Sequence, residues 1–101
     1  MKKLIGTIMG IALFTVGSHA IAAGDAASGQ RLSAACIGCH GADGIGKNDL
    51  WPNLAGQKAT YLTKQIKAFR DGQRSDPMMS NMVKTLTDQD AEDLAAYYSG
   101  L

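Results

Sequence analysis

The two cysteines of this chain are separated by two residues, and a histidine follows the second cysteine directly, in the run Cys36-Ile37-Gly38-Cys39-His40. Any fold of the chain must therefore bring two thiols and an imidazole close together. A thioredoxin-like dithiol is one interpretation, but that fold needs strands alternating with helices, and no segment here alternates apolar and polar residues like a strand. Half of a zinc site is another interpretation, but a second pair of ligands is lacking, since His19 is the only other histidine.

The same run is the C-x-x-C-H motif that attaches c-type haem to a polypeptide. Each thiol adds to one vinyl group of the haem and forms a thioether. Two intervening residues set the thiols apart by the distance between the vinyl groups, and the adjacent histidine then falls under the iron. The sequence therefore predicts one covalently bound haem c, with Cys36 and Cys39 as the attachment residues and His40 as an iron ligand.

The first 22 residues have the composition of an export signal. Two lysines precede an uncharged and mainly apolar stretch over 4–16, and small residues follow it. This order is typical of a secretory signal peptide that is removed from the mature protein. We expect cleavage after Ala22, with Ala20 and Ala23 as alternative positions, which leaves a domain of residues 23–101 in the periplasm. The alternative is an uncleaved membrane anchor, but a spanning helix needs about 20 apolar residues and this stretch is shorter.

The small size of the domain limits the hydrophobic core that it can bury, and such domains often need a covalent or metal staple. The chain has 10 Lys and Arg against 9 Asp and Glu, for a net charge of +1 at pH 7, and loss of the leading lysines leaves a slight acidic excess. No strong basic patch indicates nucleic-acid binding. The segments 38–58 and 72–86 are long for loops, which is typical of segments that wrap a prosthetic group.

Three segments are predicted to be helical. The first spans about 26–36, with Asp25 as its N-cap. The second spans about 59–70 and ends at an Asp-Gly pair. The third begins after Thr87, which forms a capping box with Asp90 three residues later. Their apolar faces are predicted to be buried and contain Gly29, Leu32, Cys36, Leu62, Ile66, Phe69, Ala91, Leu94, Ala95 and Tyr98.

From Gly29 to the last helix, the sequence resembles the class I cytochromes c, in particular the small bacterial single-haem members and the halves of their two-haem relatives. The matching residues are Gly29, the run 36–41, the segment Pro52-Asn53-Leu54-Ala55-Gly56-Gln57, the methionine-rich stretch, and Leu94 with Ala96-Tyr97-Tyr98. The resemblance implies an all-α fold of helices and loops around one covalent haem, with the first and last helices crossing. It places Gly29 against Leu94 and Tyr97. Ser33 departs from the family, which often has an aromatic residue there.

The sixth ligand of the iron is expected to be a methionine, because the domain holds one histidine and a thioether sulfur is a soft, neutral ligand. Met78, Met79 and Met82 lie together, although methionines in such a group also serve to fill apolar pockets. In the family, the ligand lies seven residues before the leucine that precedes the last helix. Since Leu86 matches that leucine, the resemblance implies Met79 as the ligand, with Met78 as the alternative and Met82 packed against the haem.

The resemblance implies a function as a periplasmic single-electron carrier with His/Met ligation, not as an enzyme. Its partners would be redox proteins, such as a membrane oxidoreductase and a terminal oxidase or reductase, and the carrier would be a monomer. The alternatives are a haem-based sensor or enzyme with an open sixth position, and a fixed subunit of a larger complex. The resemblance also implies that the carbonyl of Pro52 accepts a hydrogen bond from His40.

Overall fold

The computed structural model of the chain describes residues 2–13 and 23–101. The helices are α1 (Ala26–Leu32), α2 (Ile37–His40), α3 (Ala59–Asp71), α4 (Met79–Met82) and α5 (Asp88–Ser99), with a 3₁₀ turn over Ser33–Ala35. No strand occurs in the residues that the structure describes. The predicted all-helical architecture is confirmed.

Residues 2–13 have no regular secondary structure, and their large apolar side chains are each at least 85 % exposed. None of the helices in the described part of the chain is long and apolar enough to cross a membrane. The predicted cleavage position after Ala22 lies outside the described residues. Export and processing therefore stay predictions.

The predicted starts of α1 and α5 and the predicted end of α3 are confirmed. At the start of α1, Oδ1 of Asp25 accepts the backbone N–H of Ala27 at 2.9 Å. At the start of α5, the N–H of Asp90 donates to Oγ1 of Thr87 and the N–H of Thr87 donates to the Asp90 carboxylate, both at 3.0 Å. Gly72 ends α3 in the left-handed conformation, with φ of 87°, as expected for a glycine cap.

The first helix is shorter than predicted. The sequence predicts one helix over 26–36, but α1 ends at Leu32 and continues as the 3₁₀ turn. The reason lies in Ser33, whose hydroxyl is buried and donates to the carbonyl of Gln30 at 2.7 Å. A serine hydroxyl that bonds to the preceding turn competes with the regular backbone ladder.

Helices α1 and α5 cross at Gly29, as predicted, and Tyr97 is confirmed as a neighbour of that glycine. A β-carbon at Gly29 would overlap the backbone of Asp93 and lie 2.8 Å from the β-carbon of Tyr97. Asp93 and Tyr97 are four residues apart and share one face of α5. Leu94, three residues before Tyr97, belongs to the core cluster against which Leu32 of α1 packs.

The core is formed where α3 packs on α5. Its buried cluster comprises Leu62, Leu94, Ala95 and Tyr98, and partly buried apolar residues pack against it: Leu32, Cys36, Leu54, Ile66, Leu86 and Tyr97. The predicted apolar faces of the helices thus meet one another. Because Cys36 belongs to this group, the core holds the first thiol at its edge.

Candidate metal and cofactor site

The C-x-x-C-H run forms a single helical turn. The backbone N–H groups of Cys39 and His40 both donate to the carbonyl of Cys36, at 3.3 and 3.0 Å. Both thiols are free and half-buried. Burial raises the pKa of the Cys36 thiol, and the nearby hydroxyl of Tyr98 acts in the opposite direction. The structure therefore brings Cys36, Cys39 and His40 together, as the sequence predicts.

The imidazole of His40 is buried, with 6 % of the residue exposed, and its orientation is fixed by one hydrogen bond. Its Nδ1 lies 2.8 Å from the carbonyl oxygen of Pro52, which confirms the predicted partner. Because a carbonyl can only accept, Nδ1 is the donor in this bond, and Nε2 is the nitrogen left to bind a metal. A histidine held in this way is prepared to bind a metal through its other nitrogen.

The loop after the C-x-x-C-H run is tied to itself in a way that holds Pro52 opposite His40. The N–H of Gly46 donates to Oδ1 of Asn53 at 2.8 Å. The carbonyl of Gly44 accepts the N–H of Leu54 at 2.7 Å. These bonds tie the two residues that follow Pro52 to the start of the loop, and so restrain the backbone that carries the acceptor for the imidazole.

The three methionines lie on and beside α4, a turn of helix that the sequence analysis did not predict. Oδ1 of Asp76 accepts the N–H groups of Met78 and Met79, both at 2.9 Å, and so starts this helix. Met79 is half-buried, whereas Met78 and Met82 are 55 % and 49 % exposed. Helix α4 packs against α3. Met79 therefore lies on a different helix from His40, which belongs to α2.

Arg70, near the end of α3, makes a set of polar contacts that sequence analysis did not single out. Its guanidinium donates to the carboxylate of Asp71 at 2.8 Å, to the carbonyl of Leu86 at 3.2 Å, and forms an ion pair with Asp88 at 2.7 Å. The pKa of Asp71 is held below its usual value, first of all by the hydrogen bond from Arg70. Leu86 and Asp88 are far from Arg70 in the sequence, so no local sequence pattern predicts these contacts.

The cytochrome c family model matches residues 26–101. Cytochrome c-554(548) of Halomonas halodenitrificans is 51 % identical over 80 residues, which cover 76 % of this chain and 96 % of that protein. Cytochrome c4 of Pseudomonas aeruginosa is 43 % identical over 101 residues, covering 98 % of this chain and 48 % of that protein. The crystal structure of reduced recombinant cytochrome c4 from Pseudomonas stutzeri is similar with a TM-score of 0.70 at 35 % identity, over 79 % of this chain and 52 % of that one. The chain thus spans nearly all of the first protein and about half of the other two.

Proposed function

Because the chain belongs to the cytochrome c family, we propose that it is a periplasmic single-electron carrier whose haem is bound by Cys36 and Cys39 and ligated by His40 and Met79. The all-α fold is the class I cytochrome c fold, and one covalent haem c is the cofactor. The chain exchanges electrons with redox proteins and converts no substrate.

The observation that carries this proposal is the hydrogen bond between His40, which directly follows Cys39, and the carbonyl of Pro52. Nδ1 of His40 is bonded to the Pro52 carbonyl at 2.8 Å, and Nε2 has no hydrogen-bond partner among the described residues. The two thiols lie within the same helical turn and are free to form thioethers. Attachment of a c-type haem requires an imidazole nitrogen to bind the iron and two adjacent thiols to form the thioethers.

The chain's own residues support electron transfer in three ways. Pro52 holds the imidazole of His40 in one orientation and increases its basicity through the hydrogen bond. The Met79 sulfur is neutral and soft, which favours the ferrous state and raises the reduction potential. Together, His40 and Met79 would leave no open position at the iron for small molecules. The haem supplies, when bound, an iron that alternates between the ferrous and ferric states.

We further propose that residues 1–22 are a signal peptide. The exposed apolar side chains of residues 2–13, from Leu4 to Leu13, support this, because they take no part in the core of the 23–101 domain. Intact mass spectrometry of the periplasmic fraction should give the mass of residues 23–101 plus one haem. A species that retains residues 1–22 and sediments with membranes contradicts the proposal.

Covalent attachment is tested on a denaturing gel stained for haem peroxidase activity. The unmutated protein should retain a haem-stained band after denaturation, and the double variant Cys36→Ser with Cys39→Ser should lose it. Gly38→Ala, in the same turn, leaves both thiols in place and should keep the band. Loss of haem from the unmutated protein on denaturation contradicts the proposed attachment.

Carbon monoxide distinguishes the carrier from a sensor with an open sixth position. The ferrous protein should bind carbon monoxide poorly, because the Met79 sulfur occupies the position where the gas would bind. Size-exclusion chromatography of the same sample should show a monomer. Rapid and complete carbon monoxide binding supports the sensor and contradicts the carrier.

A further inference from the structure

The loop over 72–86 carries all three methionines and joins α3 to α5. Both ends of this loop lie beside the same side chain, Arg70. Asp71, the last residue of α3, immediately precedes the loop, and Leu86 is its final residue. A contact that spans these two ends fixes how far apart they lie.

Arg70 makes contacts at both ends at once. Nε and one terminal nitrogen donate to the two oxygens of the Asp71 carboxylate, at 2.8 and 3.0 Å. The other terminal nitrogen donates to the carbonyl of Leu86 at 3.2 Å. The nitrogen that bonds Asp71 also lies 2.7 Å from the Asp88 carboxylate. A guanidinium can serve all of these acceptors because it presents five N–H groups in one rigid plane. The Arg70 side chain is 18 % exposed, and its bond to the Leu86 carbonyl is partly buried. The side chains of Asp71 and Asp88 are 45 % and 48 % exposed, so the contacts with the two carboxylates are open to water.

The middle of the loop holds its own shape. Besides the Asp76 contacts that start α4, the N–H of Asp76 donates to Oγ of Ser80 at 3.1 Å. Val83, which follows α4, is buried with 5 % exposed. Because α4 is internally braced in this way, movement at the ends of the loop displaces Met79 together with the rest of the turn.

We propose that Arg70 is a positioning residue for Met79, and that by tying the two ends of loop 72–86 together it slows the departure of the Met79 sulfur from the iron. This inference rests on the proposed ligation by Met79. Arg70 acts only through the loop and has no role as a ligand.

The variants Arg70→Lys and Arg70→Gln test the proposal. Lysine keeps the positive charge, but a single ammonium cannot reach the acceptors at both ends of the loop, whereas glutamine removes the charge as well. Asp88→Asn weakens only the tie to α5 and provides a milder third variant. Arg74→Gln is the matched control, since Arg74 lies in the same loop and its side chain bonds to α3, donating to Gln65 at 2.8 Å and lying 4.4 Å over the ring of Phe69.

The measurement is the rate at which added imidazole replaces the sulfur in the ferric haem protein, with urea unfolding of each variant recorded beside it. We expect imidazole binding to become roughly three- to tenfold faster in both Arg70 variants, in line with the loss of a partly screened charge-assisted hydrogen bond. Asp88→Asn should have a smaller effect in the same direction. Arg74→Gln should bind imidazole at the rate of the unmutated protein, even if its urea midpoint falls.

Three different results overturn the inference. If the unmutated ferric protein shows the near-infrared sulfur-to-iron band, but Arg70→Lys and Asp88→Asn bind imidazole no faster than it does, Arg70 does not position the ligand. If the unmutated protein lacks that band, the Met79 ligation itself is wrong and the inference falls with it. Equal acceleration in Arg74→Gln also overturns it, because general loosening of the loop would then explain the effect.

Discussion

Gly29 of α1 lies so close to the backbone carbonyl of Asp93 in α5 that a β-carbon at position 29 would overlap it. Gly29→Ala must therefore push the crossed helices apart, because backbone atoms cannot move aside as a flexible side chain can. We expect a loss of about 1–3 kcal/mol or more in the free energy of unfolding, measured by urea denaturation of the haem protein. Gly38→Ala is the control, since no atom lies within 4 Å of a β-carbon there. An equal loss in both variants contradicts the helix-crossing explanation.

The hydroxyl of Tyr98 is buried in the core near the Cys36 thiol and the Ser33 side chain, but it makes no hydrogen bond of good geometry with any of the described residues. A buried hydroxyl that gains no bond in the folded state costs free energy on folding, and burial also raises the pKa of Tyr98. Tyr98→Phe should therefore leave the protein equally stable or stabilise it by about 1 kcal/mol. Tyr98→Ala should destabilise it by about 3–5 kcal/mol, because the packed ring is lost.

The same urea titration measures both Tyr98 variants. Thr63→Val is a second test at the other buried hydroxyl that has no partner in the described residues, and it should behave like Tyr98→Phe. A clear loss of stability in Tyr98→Phe indicates that the hydroxyl is bonded in the haem protein.

The stability of the protein should fall in acid partly through Asp25. Its carboxylate caps α1, and the hydrogen bonds from the Ser28 side chain and from the Ser28 and Ala27 backbone hold the pKa of Asp25 below its usual value. Because the folded-state pKa is lowered, this contribution is complete above the unfolded value of about 3.9 and is lost as the pH falls through the lower folded value.

The variant Asp25→Asn separates the cap from its charge. Asparagine is a comparably good N-cap, so stability at neutral pH should change little, while the loss of stability below about pH 4 should become shallower. Urea unfolding over a series of pH values measures both quantities. Asp49→Asn removes an equal charge from an exposed position outside any cap and serves as the control. An unchanged acid profile in Asp25→Asn contradicts the role assigned to this carboxylate.

The helices were predictable because their signals are local. Asp25, Thr87 with Asp90, and Gly72 lie next to the ends that they define, and the spacing of Leu94 and Tyr98 reports the buried face directly. Helix α4 was missed because four residues are too few for an apolar period. Its signal was present in Asp76, a carboxylate placed two and three residues before the N–H groups that it caps.

The attachment run was predictable for a different reason, since its chemistry requires its spacing. The contacts that connect distant segments were not available from the sequence in this way. Family resemblance gave Tyr97 as a neighbour of Gly29, but not the close approach of the Asp93 backbone, which depends on how α5 is rotated. Arg70 was missed because its contacts with Leu86 and Asp88 exist only after α3 and α5 have packed together.

The central claim is that the iron is held between His40 and Met79, and the near-infrared absorption spectrum of the ferric protein tests it most directly. The unmutated protein should show the weak sulfur-to-iron band, and Met79→Ala should lose it, with a lower reduction potential and free binding of small ligands. Met82→Ala should keep the band. If Met79→Ala keeps the band and Met78→Ala abolishes it, the ligand is Met78 and our assignment is wrong by one residue. If the unmutated protein has no band and binds carbon monoxide freely, His/Met ligation and the electron-carrier function are both contradicted.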